Sequence, residues 1–134
     1  MKKARHRDFA KISLQKGVQE FSSVPQIFFF MEQMLQEGMD EHHFNLALDV
    51  FLRDAAIFEE EDLENETFKE FIREIDRNML TFQNQTSYVK TAQFLDWYCI
   101  EDKLLWVNLE QFVIKKERLF TADSYVQLLS HFSN

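Results

Sequence analysis

The chain has 134 residues, with two glycines, one proline, one cysteine and a formal net charge of −8. Because glycine and proline form most tight turns and bulges, their scarcity disfavours a β-sheet and favours a mostly helical fold. One cysteine excludes an intrachain disulfide framework, and a chain of this length can bury a core without one. No apolar run approaches the roughly 20 residues that a membrane-spanning helix needs.

Residues 1–16 are basic, with six of the fifteen Lys and Arg residues and one of the twenty-three acidic residues. The charges that define this arm include Lys2, Lys3, Arg5 and Arg7. Apolar residues at helical spacing predict an amphipathic helix over about residues 7–21, so residues 1–22 are interpreted as a basic arm and capping helix. The arm is similar to a mitochondrial targeting segment. The alternative is an ordinary basic arm that contacts an acidic surface or anionic lipid, or folds back on the acidic run described below.

The rest of the chain is strongly acidic. Residues 17–134 carry nine basic and twenty-two acidic residues, a net charge of −13. Such a body repels a phosphate backbone, so nucleic-acid binding is disfavoured unless it is confined to the arm.

Six further helices are predicted after residue 22, and the third of them spans about residues 65–82. Pro25 suits the first turn of the first of them, and Gly38 suits its C-terminal end. Asp40, Thr86, Asp102 and Thr121 are predicted N-caps, because their side chains can accept a hydrogen bond from an orphan backbone N–H. Residues 59–66 contain six acids. We interpret this acidic run as a solvated connection rather than as a docking site for a basic partner.

An internal repeat organises these helices. Eighteen apolar or aromatic residues fall into six columns, each shifted by 44 and then by 37 residues. The columns are Val24/Phe68/Leu105, Phe28/Ile72/Leu109, Met31/Ile75/Phe112, Phe44/Tyr88/Tyr125, Leu48/Ala92/Leu129 and Phe51/Leu95/Phe132. A period near 40 is typical of stacked helical hairpins. The predicted fold is all-α with about seven helices: a short α-solenoid of three stacked antiparallel hairpins over residues 23–134, preceded by the N-terminal helix.

No set of residues predicts chemistry. Adjacent residues on a helix point about 100° apart, so His42 and His43 are interpreted as a solvated helix start rather than as a metal site. Cys99 lies among apolar residues, where we expect a buried and inert thiol. The acidic run lacks the alternating ligands and central glycine of a calcium loop. The sequence therefore predicts neither an enzyme nor a cofactor or metal.

Excess apolar surface is the informative feature. Phe29 and Phe30 belong to a run of three phenylalanines that fans across about 200° of a helix, so that helix must be covered on two sides. Trp106, Val113 and Ile114 lie outside the repeat columns and form a predicted exposed patch, which in soluble proteins usually marks a partner surface. The alternative is that curvature of the third hairpin folds its first helix fully inside.

The repeat columns resemble those of tandem helical-hairpin repeat proteins, in particular the degenerate octotricopeptide and FAST-kinase-like repeats of organellar proteins. The resemblance depends on the period and on the Ser-Tyr-Val openings at Ser87 and Ser124. It implies an organellar protein of a class that is often associated with RNA, and it assigns no functional residue.

The function predicted from the sequence is a non-catalytic helical scaffold, an accessory subunit of a larger mitochondrial multiprotein complex. Its partners would be other protein subunits, bound through Trp106, Val113, Ile114, Phe29 and Phe30 and through the basic arm, with peripheral membrane association only through a partner. The alternative is an organellar RNA-associated repeat protein that uses the arm.

Overall fold

The structure is a computed structural model that describes residues 23–132, and throughout this range it contains helices and no strand. The all-α prediction is therefore confirmed. The six α-helices are α1 (Val24–Glu37), α2 (Glu41–Arg53), α3 (Glu66–Asn78), α4 (Gln85–Trp97), α5 (Lys103–Lys115) and α6 (Ala122–Phe132). The predicted arm and capping helix of residues 1–22 lie outside the described residues.

Five of the described helices begin at a side-chain cap, among them α3, where Asn65 Oδ1 accepts from the backbone N–H of Thr67 at 2.7 Å. Ser23 Oγ accepts from the backbone N–H of Gln26 at 3.4 Å at the start of α1. The caps predicted at Asp40, Asp102 and Thr121 are confirmed, since each side chain accepts from the backbone N–H three residues later at 2.9, 3.2 and 3.2 Å. Each cap satisfies one of the orphan donors of a helix start.

Two predicted boundaries are wrong. Thr86 lies inside the first turn of α4, whose N-cap is Asn84, so it does not cap this helix. The helix predicted to reach Phe82 ends at Asn78 and continues as a 3₁₀ turn, Met79–Thr81. Asn78 Nδ2 donates to the carbonyl oxygen of Glu74 at 2.8 Å, one turn before the end of the helix.

The described chain divides into two compact units between Arg73 and Glu74, inside α3. The first unit has an aromatic core. The Phe51 ring stacks on Phe71 at 5.2 Å and meets Phe68 edge to face at 5.6 Å, and Phe28 meets Phe68 at 6.4 Å. Because Phe28 belongs to α1, Phe51 to α2 and the other two to α3, these rings join the three helices of this unit.

The second unit contains the end of α3 and helices α4 to α6. Its most extensive helix packing is between α4 and α6. Tyr88 of α4 is fully buried, with its ring 5.6 Å from Phe82 and 5.9 Å from Phe120. Its hydroxyl donates to the carbonyl oxygen of Met79 at 2.6 Å, so the turn after α3 is attached to α4.

Most of the repeat columns lie inside their units. All eighteen residues except Leu129 are buried or half-buried. Leu129 is 45 % exposed, and Leu128 is fully buried in its place. The column at Leu129 is therefore wrong by one residue, because a shift of one position turns a side chain about 100° around the helix.

Candidate partner-binding surface

Helix α5 carries apolar side chains on two opposite faces. Its inner face is formed by Leu105, Leu109 and Val113, all of which are buried. Leu104, Val107 and Ile114 are 67, 46 and 55 % exposed. Their spacing of three and seven residues places them on one side of the helix, opposite the inner face. We call these three residues the outer stripe.

The predicted patch of Trp106, Val113 and Ile114 is corrected in part. Ile114 is exposed as expected, whereas Val113 is only 1 % exposed. Val113 follows Leu109 by four residues, so the two share the inner face. Trp106 is half-buried, since its indole N–H donates to the carbonyl oxygen of Ile100 at 2.7 Å and its ring meets Phe132 at 5.6 Å.

The patch predicted from the sequence did not include Leu104 and Val107, although both are excess apolar residues of this helix that lie outside the repeat columns. The signal was present, because both stand at helical spacing from Ile114. It is visible only once the inner face is assigned to Leu105, Leu109 and Val113, since either set could form the buried side of an isolated helix.

In α1, the two phenylalanines that were predicted as partner contacts differ in their solvent exposure. Phe29 is 37 % exposed, whereas Phe30 is only 3 % exposed, so of the two only Phe29 is accessible at the surface in the described residues. Phe30 shares a helix face with Ile27 and Met34, three residues before it and four after it, and both of these are buried. Lys2, Lys3, Arg5 and Arg7, the other predicted contact residues, lie outside the described residues.

A cleft of about 470 Å³ adjoins the outer stripe in the second unit. Val107 belongs to both, and the Trp106 ring and Phe132 supply much of the apolar wall. The acidic side chains that line the cleft are Asp96, Glu101 and Glu110, and among residues 23–132 no Lys or Arg lines it. The surface beside the outer stripe is therefore both concave and negatively charged.

One hydrogen bond connects two side chains that line this cleft. His131 Nδ1 lies 2.8 Å from Asp96 Oδ2. An ionised carboxylate only accepts hydrogen bonds, so the Nδ1–H group of His131 is the donor of this bond and Asp96 is the acceptor. This bond joins α4 to α6, and it leaves Glu101 and Glu110 as the exposed acids of the cleft.

Cys99 also lines the cleft, and the expectation that it is buried is wrong, because the residue is exposed. It follows the end of α4 with φ +54, where Cys99 N–H donates to the Asp96 carbonyl and Ile100 N–H donates to the Leu95 carbonyl. These two bonds define a Schellman motif, whose left-handed residue turns the chain out of the helix. Within residues 23–132, no hydrogen bond connects Cys99 to His131, so the geometry does not form an activated thiol.

The remaining predicted features lie in the first unit. His42 is exposed, and His43 Nδ1 accepts from the backbone N–H of Asp40 at 3.1 Å, which completes a reciprocal cap at the start of α2. Among the residues that the structure describes, no group of three or more His, Cys, Asp and Glu side chains could hold a metal ion. Most of the acidic run forms a short 3₁₀ helix, Glu60–Glu64, with exposed glutamates, in agreement with a solvated connection.

Comparison with protein-family models, with curated proteins and with solved structures found no match to this chain. Between residues 23 and 132, none of the helices has the length and apolar character needed to cross a membrane.

Proposed function

We propose that this protein is a non-catalytic helical scaffold, an accessory subunit of a multiprotein complex, and that it binds another subunit through the outer stripe. The observation that supports this most is the exposure of Leu104, Val107 and Ile114 on one face of α5. Fully burying an exposed aliphatic side chain of this size is worth roughly 1.5–3 kcal/mol, and a partner gains the share of this that belongs to the part still exposed on each of the three residues. Leu104 and Val107 lie one turn apart, and Ile114 lies two turns further along the same side of the helix, and grouped exposed apolar residues of this kind mark partner surfaces.

Helix α6 also exposes apolar side chains. In a stack of three hairpins, α5 and α6 form the third hairpin. Leu128 fills the buried position of α6, whereas Val126 and Leu129, three residues apart, are 67 and 45 % exposed. Both helices of the third hairpin therefore present apolar side chains where another helical element could pack.

The acidic body supports a protein partner rather than a nucleic acid. The RNA-associated alternative would depend on Lys2, Lys3, Arg5 and Arg7, and mitochondrial residence likewise depends on the arm. Binding of RNA that falls steeply with salt and disappears on removal of residues 1–16 would favour that alternative.

Site-specific photo-crosslinking in the native cell tests the scaffold role. A benzophenone amino acid replaces Ile114 in the outer stripe, and the control places it at Arg77, the exposed position 37 residues earlier in the repeat. We expect the probe at position 114 to form a defined product with one or a few other subunits, and the probe at position 77 to form none of these. Equal products from both positions, or products that contain only this chain, would contradict the proposal.

A further inference from the structure

The outer stripe and the cleft form one continuous surface. Val107 belongs to both, and Glu110 follows it by three residues, so the acidic wall lies beside the apolar stripe on the same helix. From Leu104 to Ile114 the stripe is about 15 Å long, given a rise of 1.5 Å per residue. This length matches two to three turns of a partner helix.

We propose that the occupant of this surface is a basic amphipathic helix of a partner subunit. Its apolar face packs along the outer stripe, and one of its Arg or Lys side chains enters the cleft. This inference rests on the proposed function and specifies the chemistry of the partner.

The negative charge of the cleft favours a cationic side chain, Arg or Lys, on the partner helix. The cleft is lined by Asp96, Glu101 and Glu110, and its described lining includes no Lys or Arg. His131, the basic group among these described lining residues, is bound to Asp96, so Glu101 and Glu110 are the acids that face an incoming cation. A cationic side chain entering here would meet the carboxylates of Glu101 and Glu110 together with the Trp106 ring, and carboxylates and an indole face both attract a cation.

The apolar stripe selects a helix rather than a small amine. A free amine would use the cleft alone and would leave Leu104 and Ile114 uncovered. A helix with apolar residues at positions i, i+3 or i+4, and i+7 covers the stripe, which is how amphipathic helices bind apolar surfaces in general. An acidic helix would place its carboxylates against Glu101 and Glu110 and would be repelled.

The test measures binding of fluorescein-labelled model peptides to the full-length chain by fluorescence anisotropy. One 14-residue peptide combines leucines at helical spacing with arginines, and the second has glutamate at each arginine position. The cleft variant is Glu101→Gln with Glu110→Gln. The control is Glu60→Gln with Glu61→Gln, which removes the same charge from exposed glutamates of the acidic run.

We expect the arginine peptide to bind and the glutamate peptide not to bind. The cleft variant should weaken binding by about tenfold or more, and the control pair by less than about twofold, because a local charge pair is lost only in the first. The double variant Leu104→Gln and Ile114→Gln should also weaken binding, since the stripe no longer offers an apolar contact. Equal losses in the cleft and control variants, or equal binding of the two peptides, would overturn the proposal.

Photo-crosslinking separates this inference from the proposed function. If the probe at position 114 captures a subunit at a basic helix, and the cleft variant abolishes that product, the inference is supported. If it captures a subunit at a segment without Arg or Lys, the inference fails while the scaffold role stands. Crosslinks confined to residues 1–22 of the chain itself, or a second copy shown by light scattering to occupy the face, would overturn both.

Discussion

Lys116 and Tyr88 bind the same turn, and the Lys116 Nζ atom lies 5.6 Å from the centre of the Tyr88 ring. The single Tyr88 hydroxyl hydrogen is donated mainly to the carbonyl oxygen of Met79 at 2.6 Å and is shared with that of Phe82 at 3.2 Å, while Lys116 Nζ donates to the carbonyl oxygens of Leu80 and Phe82. These carbonyls belong to the turn that follows α3, at residues 79–82, where the regular hydrogen bonding of the α-helix has ended. The turn is thus held by two side chains from later helical segments, through contacts that no local sequence pattern encodes.

Replacement of Tyr88 by Phe should lower the free energy of unfolding by about 0.5–1.5 kcal/mol, because the Met79 carbonyl loses its hydroxyl donor and keeps only its bond from the Phe82 N–H. Urea denaturation followed by circular dichroism measures the change. Tyr125→Phe is the matched control, since the Tyr125 hydroxyl has no hydrogen-bond partner among the residues that the structure describes. An equal decrease in the free energy of unfolding in both variants would show that hydrogen bonding by the Tyr88 hydroxyl does not stabilise the turn.

Cys99 is a second position at which one substitution gives a sharp test. Its φ of +54 lies in the left-handed region, which costs a residue with a Cβ about 1–2 kcal/mol relative to glycine. Glycine removes this cost, but part of the resulting gain in stability is offset because glycine is more flexible in the unfolded chain. Cys99→Gly should therefore raise the free energy of unfolding by about 0.5–1 kcal/mol.

The control for this substitution is Cys99→Ala, which removes the thiol and keeps the Cβ atom. We expect it to have the stability of the wild-type chain in the same urea titration. An alanine variant as stable as the glycine variant would mean that the thiol, and not the backbone conformation, accounts for the change.

Features of the fold with a local origin could be predicted from the sequence. Asp40, Asp102 and Thr121 cap their helices by bonding to a backbone N–H three residues away, so their neighbours suffice to identify them. The cap predicted at Thr86 is wrong because Asn84, two residues earlier, is the N-cap of α4. Capping potential identifies candidate residues, but the choice between close candidates depends on how the preceding turn enters the helix.

Features of the site depend on packing between helices, and here the sequence was less informative. The composition of α5 showed that it has apolar residues in excess. It did not show that Val113 faces inward while Leu104 and Val107 face outward, since both faces of the helix are apolar. The cleft could not be predicted at all, because it brings together Asp96 of α4, Glu110 of α5 and His131 of α6.

The two adjacent phenylalanines of α1 provide a test of burial in the first unit. Phe30 is 3 % exposed, so Phe30→Ala should cost about 3–5 kcal/mol through lost burial and the cavity left behind. Phe29 is 37 % exposed, so Phe29→Ala should cost about 1 kcal/mol. Thermal and urea unfolding of the two variants measure the difference, and each variant is the control for the other. A reversed order would contradict the assignment of Phe30 to the core.

Helix α5 allows stability and partner binding to be separated on one element. Leu109 is fully buried, so Leu109→Ala should lower the free energy of unfolding by about 2–5 kcal/mol. Leu104→Gln and Ile114→Gln change exposed residues and should each alter it by less than about 0.5 kcal/mol, because glutamine has a good helix propensity and no core contact is lost.

The same stripe variants should abolish the photo-crosslinked product formed from a probe at Val107, while they keep the circular dichroism spectrum and the unfolding midpoint of the wild-type chain. A stripe variant that stays folded but gives no product has lost the binding face. Leu109→Ala can also lose the product, but for a different reason, because the partner no longer meets a folded chain. A stripe variant that is destabilised as strongly as Leu109→Ala would mean that the outer face is covered by the chain itself, and the partner surface would then have to lie elsewhere.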